Sequence, residues 1–496
     1  MSSEVFQPPY LLAVDLGTSN VKAIITDYNG QFISEFSTPV QLFCEENNKV
    51  EQDIDEIFSA ALKSMKNAVA MTDGSKIGAI GFSSQGGAMQ ILDSKGNPEG
   101  QVISWLDLRG APFDAEILQQ YGKSWFRKRT GRAQGGLAIG QILRLQKENP
   151  AFGCSDGHQI GFVGDIVVGR LCGCPAQDGT SASLTSLYNP FTKTYDEDIL
   201  SILKMPASSF PHLLDAQAIA GGLLKECARE IGVPSGIPVS VAIHDQYAAT
   251  LGTATVHSGD VLFGAGTAWV LLAVSDIPAR TVTDSAFFCS HIVPDLYGQL
   301  LSLTNGGSSF AWATKLLGLN TKSQEELDSL ILEIQPGSEG LSFWPLLAPY
   351  DAYGLKPGTR GQLNSLQFYH DARHVMRAVV EGLACELARY LQFLLNSGIE
   401  IDRLIMCGKA GSSLITPQIL ADITGLKVDC MDKTAGSTLG AAVLAKSLIE
   451  PETSIASISE QFVPPSREIS PGENYEKYQQ IRQNYFMTLP WKPWSL

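Results

Sequence analysis

The chain has 496 residues, 44% of them apolar and 18% charged; it is too long for one hydrophobic core and too apolar for a disordered polymer, so two globular domains are expected. Its net charge of −15, with no run of Lys and Arg, excludes a nucleic-acid partner. No segment reaches the roughly 18 apolar residues of a membrane helix, and residues 1–4 lack a basic region, so a cytoplasmic protein without a membrane partner is expected.

Residues 11–14 and 21–25 are apolar runs flanking Asp15-Leu16-Gly17-Thr18 and predict a β-hairpin, extended by a third strand at 31–37. Helical spacing of Ile54, Ile57, Ala61 and Met65 predicts a helix over 53–71, followed by a buried strand at 77–82. Strands mixed with crossover helices indicate an α/β fold. Nine cysteines, without CxxC spacing, predict neither a disulfide framework nor a zinc site; Cys172-Gly173-Cys174 reads as two small thiols in a turn.

The most informative pattern is an internal echo. Residues 12–18 (LAVDLGT) match 261–267 (VLFGAGT), each followed by a second apolar strand, and the strand before Ser83-Ser84-Gln85-Gly86-Gly87 matches residues 404–408. Two similar α/β halves would explain both, with the boundary near residues 252–259. Residues after Pro451 are expected to wrap the surface and end in a helix over 475–486.

A turn of Gly17, Thr18 and Ser19 offers backbone N–H groups and hydroxyls to phosphate oxygens, with Lys22 nearby and Asp15 placed to hold Mg²⁺. The same sequence also describes an ordinary hairpin turn. The repeat keeps Gly266-Thr267 and loses the acid, as expected if donors come from both halves and one metal is held once.

A strand at 237–243 leads into His244-Asp245-Gln246 and a helix at 246–251. Asp245 is either a helix cap or a general base that takes a proton from a hydroxyl attacking a γ-phosphorus. His244 is expected to point to the opposite face. Trp105, Asp107 and Arg109 alternate with leucines and, on an extended segment, would present an aromatic face, an acceptor and a donor to a polyol. An ordinary Asp–Arg pair is the alternative. Asn305-Gly306-Gly307 and Gly408-Lys409-Ala410-Gly411-Ser412-Ser413 are small-residue turns before helices, suited to close approach by a nucleotide or simply turns.

In this order, Asp15-Leu16-Gly17-Thr18-Ser19, Val50-Glu51-Gln52-Asp53, Trp105-x-Asp107-x-Arg109, Asp245-Gln246, Gly266-Thr267, Asn305-Gly306-Gly307, Glu381-Gly382 and Gly440-Ala441-Ala442 resemble the FGGY family of carbohydrate kinases over nearly the whole chain. The resemblance is xylulokinase-like, with some sedoheptulokinase-like features. It implies two actin/Hsp70-type (ribonuclease H-like) ATPase domains with an interdomain cleft: residues 1–254 on the sugar side, 255–450 on the ATP side, and an extension over 451–496. It implies ATP and Mg²⁺ as cofactors, a small sugar as substrate and a homodimer as an admissible state.

Carried over residue by residue, it makes Asp245 the catalytic base and Asp15 the metal residue. Gly17, Thr18, Ser19, Lys22, Gly266, Thr267 and Gly307 would meet ATP phosphates, and Gly408 and Ser413 would lie near the adenosine. Gln85, Trp105, Asp107, Arg109, Asp245 and Gln246 would meet a ketose such as xylulose. Ribulose and glycerol are alternatives, as is a sugar- or nucleotide-binding sensor of the same fold.

Four departures stand out. Lys409 replaces a glycine of the adenosine turn. Gly86-Gly87 follows Gln85 where xylulokinase-like members carry Met-His, which leaves room for a seven-carbon ketose such as sedoheptulose. Gln141 and Arg144 stand where Lys and Trp are usual, and Ser365 where Gly is common.

Overall fold

A computed structural model of the chain describes residues 10–150, 152–153, 157–277, 282–284, 286–303, 305–348, 353–431 and 436–491. Residues 1–4 and Cys154 lie outside the described residues. The chain divides into two compact units, Met1–Val256 with Phe287–Gly298 and Ala435–Val463, and His257–Ala286 with Gln299–Thr434 and Pro464–Leu496. Among the described residues no helix is long and apolar enough to cross a membrane.

The first unit is built on β1 (Tyr10–Leu16), β2 (Asn20–Asp27), β3 (Phe32–Pro39), β4 (Ile77–Ser84) and β5 (Pro238–His244), ordered β3-β2-β1-β4-β5. β1 pairs antiparallel with β2 but parallel with β4, and β4 parallel with β5. Both faces of this sheet are covered, which is why Leu11, Leu12, Ala13 and Val14 are all apolar and buried rather than alternating.

One cover is the helix Ile54–Val69, started by Asp53 accepting from the N–H groups of Asp55 and Glu56 and burying Ile54, Ile57, Ala61 and Met65. Another is the helix Gly436–Ile449, whose small residues allow backbone-to-backbone approach. A Cβ on Gly81 would lie 1.8 Å from the Ala441 carbonyl oxygen, one on Gly252 2.1 Å from that of Gly436, and one on Gly440 1.7 Å from that of Ala248. These glycines are needed for packing, not for turns.

The second unit repeats the plan. β6 (Asp260–Ala265) and β7 (Trp269–Ser275) form an antiparallel hairpin, β8 (Arg403–Cys407) lies parallel to β6, and β9 (Val428–Cys430) parallel to β8. The helix Ala372–Asn396, capped by Asp371, is buried along most of its length against Phe263, Phe343 and Leu404. Both sequence echoes are therefore equivalent strands, each hairpin followed by a parallel third strand.

The stretch after Pro451 does not simply wrap the surface. Ile455, Ile458 and Phe462 are buried in the first unit, and Tyr478 and Tyr485 in the core of the second. These apolar side chains are scattered among polar ones, so composition alone did not reveal the burial. A five-stranded sheet that includes Lys49–Gln52, Met89–Leu92 and Pro98–Ile103 was also unforeseen.

Candidate functional site

The carboxyl ends of β1, β4 and β5 lie side by side, Asp15 opposite Ser83 and Ser83 opposite Ile243. Strand ends of this kind are where α/β folds place chemistry. The Ser83 hydroxyl donates to Asp15 Oδ1 at 2.5 Å, and the Ser437 hydroxyl donates to Oδ2 at 2.7 Å. Burial and the neighbouring charge of Asp245 push the Asp15 carboxyl above the ordinary carboxylate range, against the two serines and Lys22. Lys22 sits opposite Asp15 on β2 and pairs with Glu35 at 3.4 Å.

Asp245 opens the helix Asp245–Gly252 directly after β5. Its side chain is 31% exposed, and desolvation pushes its carboxyl up to about 6, with hydrogen bonds from Gln246 acting the other way. His244 Nε2 lies 3.1 Å from Asp245 Oδ1. The strand expectation of opposite faces fails here because the chain turns from strand to helix between the two residues. Burial pulls the imidazole down to about 4, against the charges of Asp178 and Asp15, so His244 is neutral near pH 7.

The room expected beside Gly86 is filled. A Cβ there would meet Leu184 Cδ1 at 2.0 Å and His244 Cδ2 at 2.6 Å, and one on Gly87 would meet Leu137 at 2.5 Å. The missing side chain of Gly86 thus makes way for Leu184 and the His244 imidazole.

Residues 104–110 are not the extended segment their alternation suggested; Trp105 and Leu106 form a turn after Pro98–Ile103. Asp107 fixes it. Its carboxylate accepts from the N–H groups of Val50 and Arg109, from Arg109 Nε and from Gln141 Nε2, all within 3.1 Å. Burial alone would raise this carboxyl, but those bonds outweigh it and hold it below its ordinary value. Arg109 also reaches Glu51 at 2.7 Å. Asp107 and Arg109 thus brace the loop, while Trp105 stays 42% exposed.

Gln141 and Arg144, noted as departures, complete the brace: Arg144 Nε donates to Gln141 Oε1 at 2.9 Å. In the hairpin turn, Gly17 N–H donates to the Asn20 carbonyl at 3.1 Å, Ser19 is exposed and its carbonyl accepts from Val40. The Thr18 side chain meets Gln85 and Trp105. Gln246 is half-buried beside Asp245.

The second unit holds a cavity of about 670 Å³. Gly266, Thr267, Gly307 and Ser308 line one part of it, and Leu319, Leu327, Val380 and Leu383 give it apolar walls. The N–H of Gly307 donates to the Gly266 carbonyl at 3.1 Å, which laces the two loops together. A Cβ on Gly307 would lie 2.5 Å from that oxygen, whereas one on Gly266 meets nothing closer than 3.7 Å. Ser413 lines the cavity, its hydroxyl donating to Asp328 at 2.9 Å. Gly408, at φ +105°, shapes the turn, and Lys409 lines the cavity. Ser365 likewise adopts the left-handed conformation, φ 64°, that favours glycine.

Sequence reasoning missed Ser83 as a partner of Asp15, although the Ser-Ser-Gln run had been singled out. It also missed Ser437, which is 422 positions from Asp15, and Gln52, whose motif had been seen but given no role. Among the described residues no group of three or more His, Cys, Asp or Glu is arranged to hold a metal.

Residues 10–252 match the model of the FGGY family of carbohydrate kinases, N-terminal domain, and residues 263–448 that of its C-terminal domain. A xylulose kinase of Staphylococcus epidermidis is 26% identical over 96% of this chain and 95% of its own length. A gluconokinase of Bacillus licheniformis is 25% identical over 88% of this chain and 86% of its own. The crystal structure of gluconate kinase from Lactobacillus acidophilus superposes with a TM-score of 0.89 at 23% identity, covering 96% of this chain and 97% of that one.

Proposed function

The chain belongs to the FGGY family of carbohydrate kinases, ATP-dependent enzymes acting on a sugar, and on that premise we propose that it phosphorylates a hydroxyl of a small ketose such as xylulose, with Asp245 as general base. The observation that carries this is the meeting of Asp15, Ser83 and Asp245 at three adjacent strand ends. A carboxyl near 6 is ionised at neutral pH yet basic enough to take a proton from a hydroxyl. As that oxygen attacks the γ-phosphorus, the proton passes to Asp245, the new P–O bond forms, the bond to the β-phosphate oxygen breaks and ADP leaves.

Trp105 offers its exposed indole face to the C–H groups of the sugar, and Gln85 and Gln246 supply polar contacts. In the second unit, Gly266, Thr267, Ser413 and Lys409 surround the cavity proposed for ATP, its apolar walls suiting the base. Asp15 suits Mg²⁺, which binds through one or two carboxylates plus substrate phosphates rather than an all-protein cage. When bound, the ion would neutralise charge on those phosphates. Xylulose is favoured because the Staphylococcus epidermidis relative of that name aligns over 96% of this chain.

The test is ADP release over a panel of xylulose, ribulose, sedoheptulose, gluconate and glycerol with ATP and Mg²⁺. Greatest turnover with xylulose is expected; turnover with none would overturn the reading.

A further inference from the structure

The helix Gln324–Leu332 and the turn that follows β8 both line the 670 Å³ cavity of the second unit, the helix through Gln324 and Leu327 and the turn through Lys409, Ala410 and Ser413. One side chain ties them together. Asp328, on that helix, is 3% exposed. Its Oδ1 accepts from Gln324 Nε2 at 2.8 Å and from the Ser413 hydroxyl at 2.9 Å, and its Oδ2 accepts from the Leu414 N–H at 2.7 Å. The Ser413 oxygen in turn accepts, at 3.0 Å, from the N–H of Thr416, the first residue of the helix Thr416–Thr424.

A carboxylate buried in this way is costly unless its oxygens are satisfied. Here every donor is neutral, and two of them, Ser413 and Leu414, lie 85 and 86 positions away in the chain. The charge makes each bond roughly twice as strong as one between neutral groups, so the junction is firm.

The same turn has two other holds, both nearer its start. Gly408, at φ +105°, lies against β6, where an added Cβ would be 3.0 Å from the carbonyl carbon and oxygen of Ala265. Arg467 Nη2 donates to the Gly411 carbonyl at 2.8 Å. Neither reaches the helix that carries Leu327. Asp328 does, and it holds the end of the turn that carries Ser413. A cavity whose walls are fixed before a ligand arrives loses less freedom on binding than one whose walls must first be ordered.

We propose that Asp328 is a positioning residue for the nucleotide, setting the spacing between two walls of the cavity through Ser413, Leu414 and Gln324. This rests on the assignment of that cavity to ATP, proposed above.

The experiment is steady-state kinetics with ATP and the best sugar of the panel for Asp328→Asn, Asp328→Ala and Ala311→Trp, with a urea midpoint for each. Asp328→Asn keeps the size of the side chain but places an amide donor where either the Leu414 N–H or the Ser413 hydroxyl needs an acceptor. It is expected to raise the ATP KM about tenfold and to leave the sugar KM at its parental value, with Asp328→Ala raising the ATP KM further. A lowered urea midpoint with a parental ATP KM in both Asp328 variants would make Asp328 a packing residue only and overturn the proposal, as would ATP and sugar KM values that rise together. Ala311 is exposed and lines the same cavity, so Ala311→Trp fills part of it and separates the two ways of failing. If Ala311→Trp raises the ATP KM and neither Asp328 variant does, Asp328 alone has been misassigned. If Ala311→Trp leaves it parental, the cavity is not the nucleotide site and the proposal falls with that reading.

Discussion

Gly440→Ala adds one methyl group where the helix Gly436–Ile449 crosses the helix that begins at Asp245. The added Cβ would lie 1.7 Å from the Ala248 carbonyl oxygen, 2.5 Å from its carbon and 3.0 Å from its Cα. Ordinary contact begins at 3.4 Å, and all three obstacles are backbone, so one helix must move by about 1.5 Å for the methyl to fit. Ala248 is in the first turn after Asp245, so the movement is transmitted to the carboxylate. Overpacking of this kind costs about 1–3 kcal/mol of stability. Displacing a catalytic group by about 1 Å costs on the order of 10²-fold in rate. Urea unfolding and kcat measured on the same preparation check both. A Gly440→Ala protein with parental midpoint and parental kcat would refute the claim that this glycine sets the position of the proposed base.

Two other predictions concern protons. If Asp245 is the base and titrates near 6, kcat/KM rises with pH through about 6 and levels above it, because only the ionised carboxylate accepts a proton; a profile flat from pH 5 to 8 would contradict this. Asp165 is buried, its Oδ2 accepting from the Phe162 N–H at 2.7 Å while Oδ1 has no partner among the described residues, and burial raises its carboxyl well above the ordinary value. The native state then binds a proton that the unfolded chain releases above about pH 4, so stability falls as pH rises from there towards the raised value. Asp165→Asn should remove that slope, giving a higher urea midpoint than the parent at pH 8.5 and a gap that narrows towards pH 5; a lower midpoint at pH 8.5 would contradict it.

The hairpins, the strand after each, and the acid at the end of β5 were legible in the sequence because their signals are local. Apolar runs of strand length bounded by Gly-Thr turns repeat at two places, and the repeat itself carries information that a single run does not. Trp105 to Arg109 misled because Trp-Leu-Asp-Leu-Arg alternates like a strand. What decides its shape is Asp107, and its partners Val50 and Gln141 are distant in sequence. Ser437 was invisible for the same reason: a serine in a helix of small residues has no pattern that points to Asp15. Gly86-Gly87 was read as room because absent side chains suggest space. Whether space is left depends on what packs there, and Leu184 and His244 fill it. His244 also shows where periodicity stops, since strand alternation says nothing across a strand-to-helix junction.

The central claim is that Asp245 takes the proton of the sugar hydroxyl. Asp245→Asn keeps the size of the side chain and removes its basicity, so sugar-stimulated ADP release should fall on the order of 10²–10⁴-fold, while sugar affinity measured by calorimetry stays close to that of the parent. An Asp245→Asn protein that still releases ADP at the parental rate would contradict the account.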